Sequence, residues 1–283
     1  MQISFAKWHG YGNDFLVVES EPFQEPWLAA FTRFMCQQHV GLGADGCVFV
    51  RKCSECDFDL RIFNRDGSEA GMSGNGFRCA AAQIHRSGLS ASSSLVLHTR
   101  SGKKPCQLLR QKSATRWSYL SDLGKPLFSP PEVPCLVDDR EVVSEYPVRI
   151  EGQQLLLNAL SMGNPQCAIL VERLPGPERF QLLGSKLERH SLFPERTNVS
   201  FVQVISRERL SIQIWERGVG PSSSSGTGSC GAAVTAIRLG LVDSPVAVET
   251  RAGSQQVAWS PGKSVLLTGD AELVADGRCY WEP

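Results

Sequence analysis

Short apolar or alternating runs dominate the chain. They predict strands over residues 3–5, 15–19, 46–51 and 58–63, then near 95–99 and 104–109. Between 63 and 95 the pattern changes to a Gly-rich stretch followed by a helix over 76–86. The second half repeats the order, with strands over 155–161, 166–171, 198–205 and 210–215 and a helix over 228–238. The two helices carry small or apolar residues nearly all round. These are Cys79, Ala80, Ala81, Ala82 and Ile84 in one, and Cys230, Ala232, Ala233, Val234, Ala236 and Ile237 in the other. A helix apolar on most faces is a buried helix, here one wrapped by a sheet. Residues 265–280 predict two more strands that return to the first half. Pro126, Pro130, Pro131 and Pro134 place a linker within 122–134.

The recurrence extends to residue identity. SGNGFRCAAAQIHRSGL starts at Ser73, and SGTGSCGAAVTAIRLGL starts 152 residues later at Ser225. At that same offset Phe63-Asn64-Arg65 matches Trp215-Glu216-Arg217. Gly12-Asn13-Asp14 matches Gly163-Asn164-Pro165 at an offset of 151. Three segments in register imply two homologous halves related by a pseudo-twofold. The expected domains are 1–124, joined by the strand stretch 270–283, and 125–269.

Composition narrows the function classes. With 42% hydrophobic and 20% charged residues over 283 positions, the chain reads as ordinary globular protein. Twenty-nine basic residues balance 29 acidic ones, which leaves no electrostatic footprint for nucleic acid or an anionic membrane. No apolar run approaches the ~18 residues of a membrane span. MQISFAKWHG lacks the basic start and apolar core of a secretion signal, so the expected compartment is the cytoplasm. Ten cysteines then read as buried or free thiols rather than a disulfide framework. Cys53 and Cys56 form one C-x-x-C, without the second pair a zinc site needs.

Each S-G-x-G stretch precedes a buried helix. The free N–H groups and positive dipole end of a helix N-terminus form an anion site. Gly74, Asn75, Gly226 and Thr227 occupy those first positions. Ser73 and Ser225 read either as plain caps or as groups facing a ligand. Asn13, Asn64, Asn164, Asn198, Glu216 and Arg217 stand at related places in the two halves. Arginine grips a carboxylate bidentately, a glutamate receives an ammonium, and amides offer donors and acceptors. The set suits an amino acid zwitterion.

KWHGYGNDF (7–15), GLGADG (41–46), FNRDGSEAGMSGNGFRCAA (63–81), SMGNPQC (161–167), FPERTNVSFVQ (193–203), IWERGVGPSSSSGTGSCGAA (214–233) and LTGDAELVADG (267–277) resemble the diaminopimelate epimerase family. The resemblance implies an α/β fold of two pseudo-symmetric domains, each a mainly antiparallel sheet rolled around a central buried helix. It implies an isomerase without pyridoxal phosphate or metal, converting LL-diaminopimelate to the meso form for lysine and peptidoglycan synthesis. In that scheme two cysteines face the α-carbon; one removes its proton and the other delivers one to the opposite face. By motif position, Gly74, Asn75, Gly226 and Thr227 form the anion hole. Asn13, Asn64, Asn164, Asn198, Glu216 and Arg217 hold the substrate. The implied partner is a diaminopimelate-like amino acid, and the resemblance leaves a homodimer open.

The departures lie at the chemistry. Ser73 and Ser225 stand at the family's two cysteine positions, and Pro221, Gln166 and Gly46 replace further family residues. A thiol with a pKa of ~8.5 drops to ~3.5–7.5 at a helix N-terminus, whereas a serine hydroxyl needs a neighbouring base. A serine pair installed to trap substrate would explain Ser73 and Ser225 but not the other three; natural divergence explains all five. A dehydratase or another isomerase on this scaffold, and an amino acid-binding homologue without catalysis, are the alternative functions.

Overall fold

A β-hairpin begins the first unit. β1 (Gln2–Gly10) and β2 (Asn13–Glu19) are antiparallel and joined by Tyr11 at φ 56° and Gly12 at φ 82°. Two positive φ values in a two-residue loop match the twist of the flanking strands. Glycine takes this conformation freely, whereas Tyr11 does so at a cost of about 1–2 kcal/mol. Its hydroxyl accepts a bond from the Asp270 amide at 3.0 Å, which helps hold the turn. The computed structural model describes residues 1–19, 21, 23–137 and 140–282.

The chain divides into two units. One is Met1–Asp122 together with the chain from Thr268 on, and the other is Leu123–Leu267. The first continues with α1 (Glu25–Met35), β3 (Gly46–Lys52), β4 (Phe58–Asn64), β5 (Glu69–Ala70), α2 (Gly74–Arg86), β6 (Ser94–Thr99), β7 (Gly102–Gln111) and β8 (Arg116–Asp122). β2 lies parallel to β3 and β4 parallel to β6; β3–β4, β6–β7 and β7–β8 are antiparallel. A closing strand, Leu266–Tyr280, pairs with β8 and runs antiparallel to β1. Eight strands thus form a closed ring. α2 fills it: Phe77, Cys79, Ala80, Ala81, Ala82 and Ile84 have no exposed surface. Alanines bring the helix backbone close to the strands. Fully burying a side chain such as Phe77 or Ile84 contributes about 1.5–3 kcal/mol.

The second unit contains β9 (Tyr146–Ile150), β10 (Gln153–Ser161), β11 (Pro165–Leu170), α3 (Pro177–Glu188), β12 (Asn198–Ser206), β13 (Arg209–Glu216), β14 (Gly220–Ser222), α4 (Gly226–Arg238), β15 (Val246–Thr250) and β16 (Gly253–Ala258). Its senses repeat the first unit: β10–β11 antiparallel, β11–β12 parallel, β12–β13 antiparallel, β13–β15 parallel and β15–β16 antiparallel. α4 is buried through Cys230, Ala233, Val234 and Ala236. The fold is therefore α/β and pseudo-symmetric, each unit a mainly antiparallel sheet around a buried helix.

Several expectations need correction. Residues 265–280 make one 15-residue strand, not two. Gly269 within it marks close approach rather than a break: a Cβ there would lie 2.9 Å from Arg78 Cζ. α2 and α4 start two residues earlier than predicted, because the capping serines place the glycines inside the first turn. Within the predicted linker, Leu127 bridges to Ser161 and Leu123 bonds to Val265, so this stretch is tied into the second unit. Cys53 and Cys56 are joined in a disulfide across the β3–β4 loop, while the other eight cysteines are buried free thiols. Of the returning stretch 270–283, Pro283 lies outside the described residues.

Candidate active site

In the first unit, Ser73 caps α2. Its Oγ accepts the Gly76 amide at 3.2 Å and its carbonyl accepts that of Phe77. Helix geometry leaves the Gly74 and Asn75 N–H groups without an intrahelical acceptor. The Asn75 side chain is 3% exposed. Its Nδ2 donates to Asn13 Oδ1 at 3.2 Å, and its Oδ1 accepts a bond from Arg78. Asn13 Nδ2 donates to Asp45 at 2.8 Å. Asp45 is tied back to the hairpin through two backbone–carboxylate bonds with Asp14. Asn13 and Asn75 are thus in contact. Asn64 is not bonded to either. It is exposed at the end of β4, donates to Ser68 Oγ at 3.0 Å and lies opposite Gly46.

In the second unit, Ser225 caps α4 in the same way, accepting the Gly228 amide at 3.3 Å. Gly226 and Thr227 supply the leading N–H groups. Asn164 Nδ2 donates to Thr227 Oγ1 at 3.4 Å, and Gln166 donates to Asn164 Oδ1 at 2.7 Å. Asn198 is buried. It donates to the Pro165 carbonyl and accepts the Arg217 backbone amide at 3.0 Å. The Arg217 guanidinium is exposed and donates to the Glu195 carbonyl. Glu216 ends β13 beside it.

Two residues absent from the sequence-level set hold these groups. Asp45 orients Asn13. Glu188, at the end of α3, accepts from Trp215 Nε1 at 2.7 Å and from the Gly218 amide at 2.9 Å. It clamps the turn that carries Glu216 and Arg217. Burial pushes the Glu188 carboxyl up, but those bonds and the charges of Arg189 and Arg196 outweigh it and hold it below the usual carboxylate range. Its signal in the sequence is an acid beside the buried Leu187 on α3.

Two capped helix starts, each flanked by an oriented asparagine, meet a matching family model. The model for diaminopimelate epimerase matches residues 5–128 and 158–274. The chain belongs to the diaminopimelate epimerase family. It is 37% identical over 279 residues to the diaminopimelate epimerase of Pelotomaculum thermopropionicum, covering 97% of this chain and 98% of that one. It is also 37% identical over 281 residues to that of Azotobacter vinelandii, covering 98% and 99%. A phenazine biosynthesis protein of the PhzF family from Bacillus anthracis shares the fold, with TM-score 0.73 at 14% identity, over 99% of this chain and 100% of that one. By family, this is an isomerase.

The thiols next to the epimerase-type motifs are packing groups. Burial pushes Cys79 up to about 12, although the Arg78 charge pulls it down, and the same holds for Cys106. Cys230 has no exposed surface. The half-buried hydroxyls of Ser73 and Ser225 occupy the capping positions. Among the described residues no histidine bonds to either oxygen. His9 accepts the Gly12 amide, His85 contacts Tyr119, His98 contacts Asp59, and His190 accepts the Leu192 amide. Cavities of about 510 Å³ in the first unit and about 630 Å³ in the second lie away from both serines. Among the described residues no His, Cys, Asp or Glu group is arranged to hold a metal, and no helix is long and apolar enough to cross a membrane.

Proposed function

We propose that this chain is a cofactor-independent isomerase that converts LL- to meso-diaminopimelate, with Ser73 and Ser225 at the positions of the family's two cysteines. The observation that carries this reading is the repeated half-site: a capping serine, two leading helix N–H groups and an oriented asparagine in each unit. Each unit offers leading N–H groups suited to the α-carboxylate, those of Gly74 and Asn75 in the first and of Gly226 and Thr227 in the second. These donors also stabilise the negative charge that develops when the α-proton leaves. Asn13, Asn64, Asn164, Asn198, Glu216 and Arg217 orient the substrate, Glu216 toward an ammonium and Arg217 toward a carboxylate.

Each serine oxygen accepts one amide N–H, which leaves its own O–H to donate and a second lone pair that, on a neutral hydroxyl, is only weakly basic. That suits reprotonation better than abstraction. A helix N-terminus lets a thiol ionise near neutral pH and so populate a base, whereas a hydroxyl stays protonated there. The turnover is therefore expected to be slow, and Ser73→Cys with Ser225→Cys to raise it. A second reading, an amino acid-binding protein without catalysis, is favoured by the lack of any histidine bonded to either oxygen among the described residues.

Proton NMR of LL-diaminopimelate in D2O with the purified protein separates them. Loss of the α-proton with growth of the meso form supports the isomerase. Saturable binding without exchange, together with exchange restored in the double cysteine variant, supports the binding protein. A double variant that neither binds nor exchanges diaminopimelate removes that substrate.

A further inference from the structure

Arg78 is a buried cation that the half-site chemistry described so far does not use. It has no exposed surface, yet among the described residues neither Nε nor Nη1 has a hydrogen-bond partner. Its Nη2 donates to Asn75 Oδ1, at the second residue of α2. Tyr11 presents its ring 5.9 Å from Cζ, and Gly269 is the residue that leaves space for the guanidinium. Burying a cation without a carboxylate is costly unless something else uses the charge.

We propose that Arg78 is a positioning residue that strengthens the hold of the α2 half-site on a carboxylate. Two physical effects combine. A guanidinium only donates, so Asn75 must turn Oδ1 toward it and offer Nδ2 to Asn13. Asn13 then accepts on Oδ1 and donates from Nδ2 to Asp45, which only accepts. The order of every dipole from Arg78 to Asp45 is thereby fixed. The second effect is the charge itself. A helical side chain leans toward the helix N-terminus, and here it reaches the first turn. A full positive charge in a low-dielectric interior adds to the partial charge of the α2 dipole.

The second unit has no equivalent cation at this position. At the repeat offset of 152 Arg78 corresponds to Cys230 and Asn75 to Thr227, and at 151 Asn13 corresponds to Asn164. Its amide contact runs the other way, from Asn164 to Thr227. The two half-sites thus share a backbone and differ in electrostatics.

The identity of the carboxylate rests on the proposed diaminopimelate reading; the role of Arg78 is tested apart from it. Full-length Arg78→Met and Arg78→Lys are compared with the wild type, using 15N-labelled protein without amino acid. Asn13 and Asn75 side-chain amides and the Gly74 and Asn75 backbone amides are followed during a sulfate titration. The wild type and Arg78→Lys should show saturable backbone shifts. Arg78→Met should need at least about tenfold more sulfate, the loss of roughly 1.4 kcal/mol, with both side-chain amides displaced. Equal sulfate affinity in a folded Arg78→Met protein overturns the proposal, as does an Arg78→Lys protein as weak as Arg78→Met. If Arg78→Met does not fold, Arg78→Lys decides: retained shifts support the proposal and their loss overturns it. Calorimetry with LL-diaminopimelate then tests the functional reading alone, since a wild type that binds sulfate but not diaminopimelate fails only there.

Discussion

Glu188 puts a charged group where burial alone would keep it neutral. Its two hydrogen bonds, from Trp215 and Gly218, favour the carboxylate. With the folded value held below the ordinary one near 4.5, the ionised form stabilises the fold above that value. This contribution is lost as pH falls through the folded value. Glu188→Gln should therefore lower stability at neutral pH and flatten the acid limb of a stability–pH curve from urea melts. An acid limb identical to the wild type would remove Glu188 from that role. At this scale the sequence was legible where the repeat spoke twice. Asn13 with Asn75, and Asn164 with Thr227, meet across spacings of 62 and 63 residues that differ by one. Asp45 and Glu188 were not legible. Their partners lie about 30 positions away in the chain, and neither sits in the repeated S-G-x-G stretch.

At the level of elements, the serine caps decide where the two central helices begin. Each oxygen satisfies an amide that a buried helix end would otherwise leave without a partner. Ser73→Ala should cost about 1 kcal/mol in chemical denaturation, with Ser225→Ala alike. A cost near zero would mean that the caps do not hold the helices in place. Apolar runs such as those of β3 and β4 read clearly as strands, since their pairing buries most of their length. β7 did not read to its full length because most of its residues are exposed, so alternation fades into polar sequence. α1 and α3 escaped because each buries only a narrow stripe. The signal was a proline in the first turn of each.

For the molecule as a whole, the repeat is visible in element order, and the closing strand breaks the simple reading of two consecutive halves. The first unit is completed by residues that follow the second in the chain. A protein ending at residue 122 leaves one edge of β1 and one edge of β8 without a partner. It should aggregate or unfold without cooperativity, and a synthetic peptide of residues 268–282 should restore a cooperative melt. A cooperative melt in the short protein alone would show that the ring does not need closure.

The same strand sets a timetable. On the ribosome the unit that starts first finishes last, because every residue of Leu123–Leu267 emerges before Thr268. At ~5–20 residues per second, β1 waits about 13–55 s with an open edge, and β8 about 7–30 s. The second unit, drawn from one uninterrupted stretch, has its residues assembled during that wait. The period of greatest exposure to aggregation thus falls within translation itself, and slowing elongation across the second unit would lengthen it.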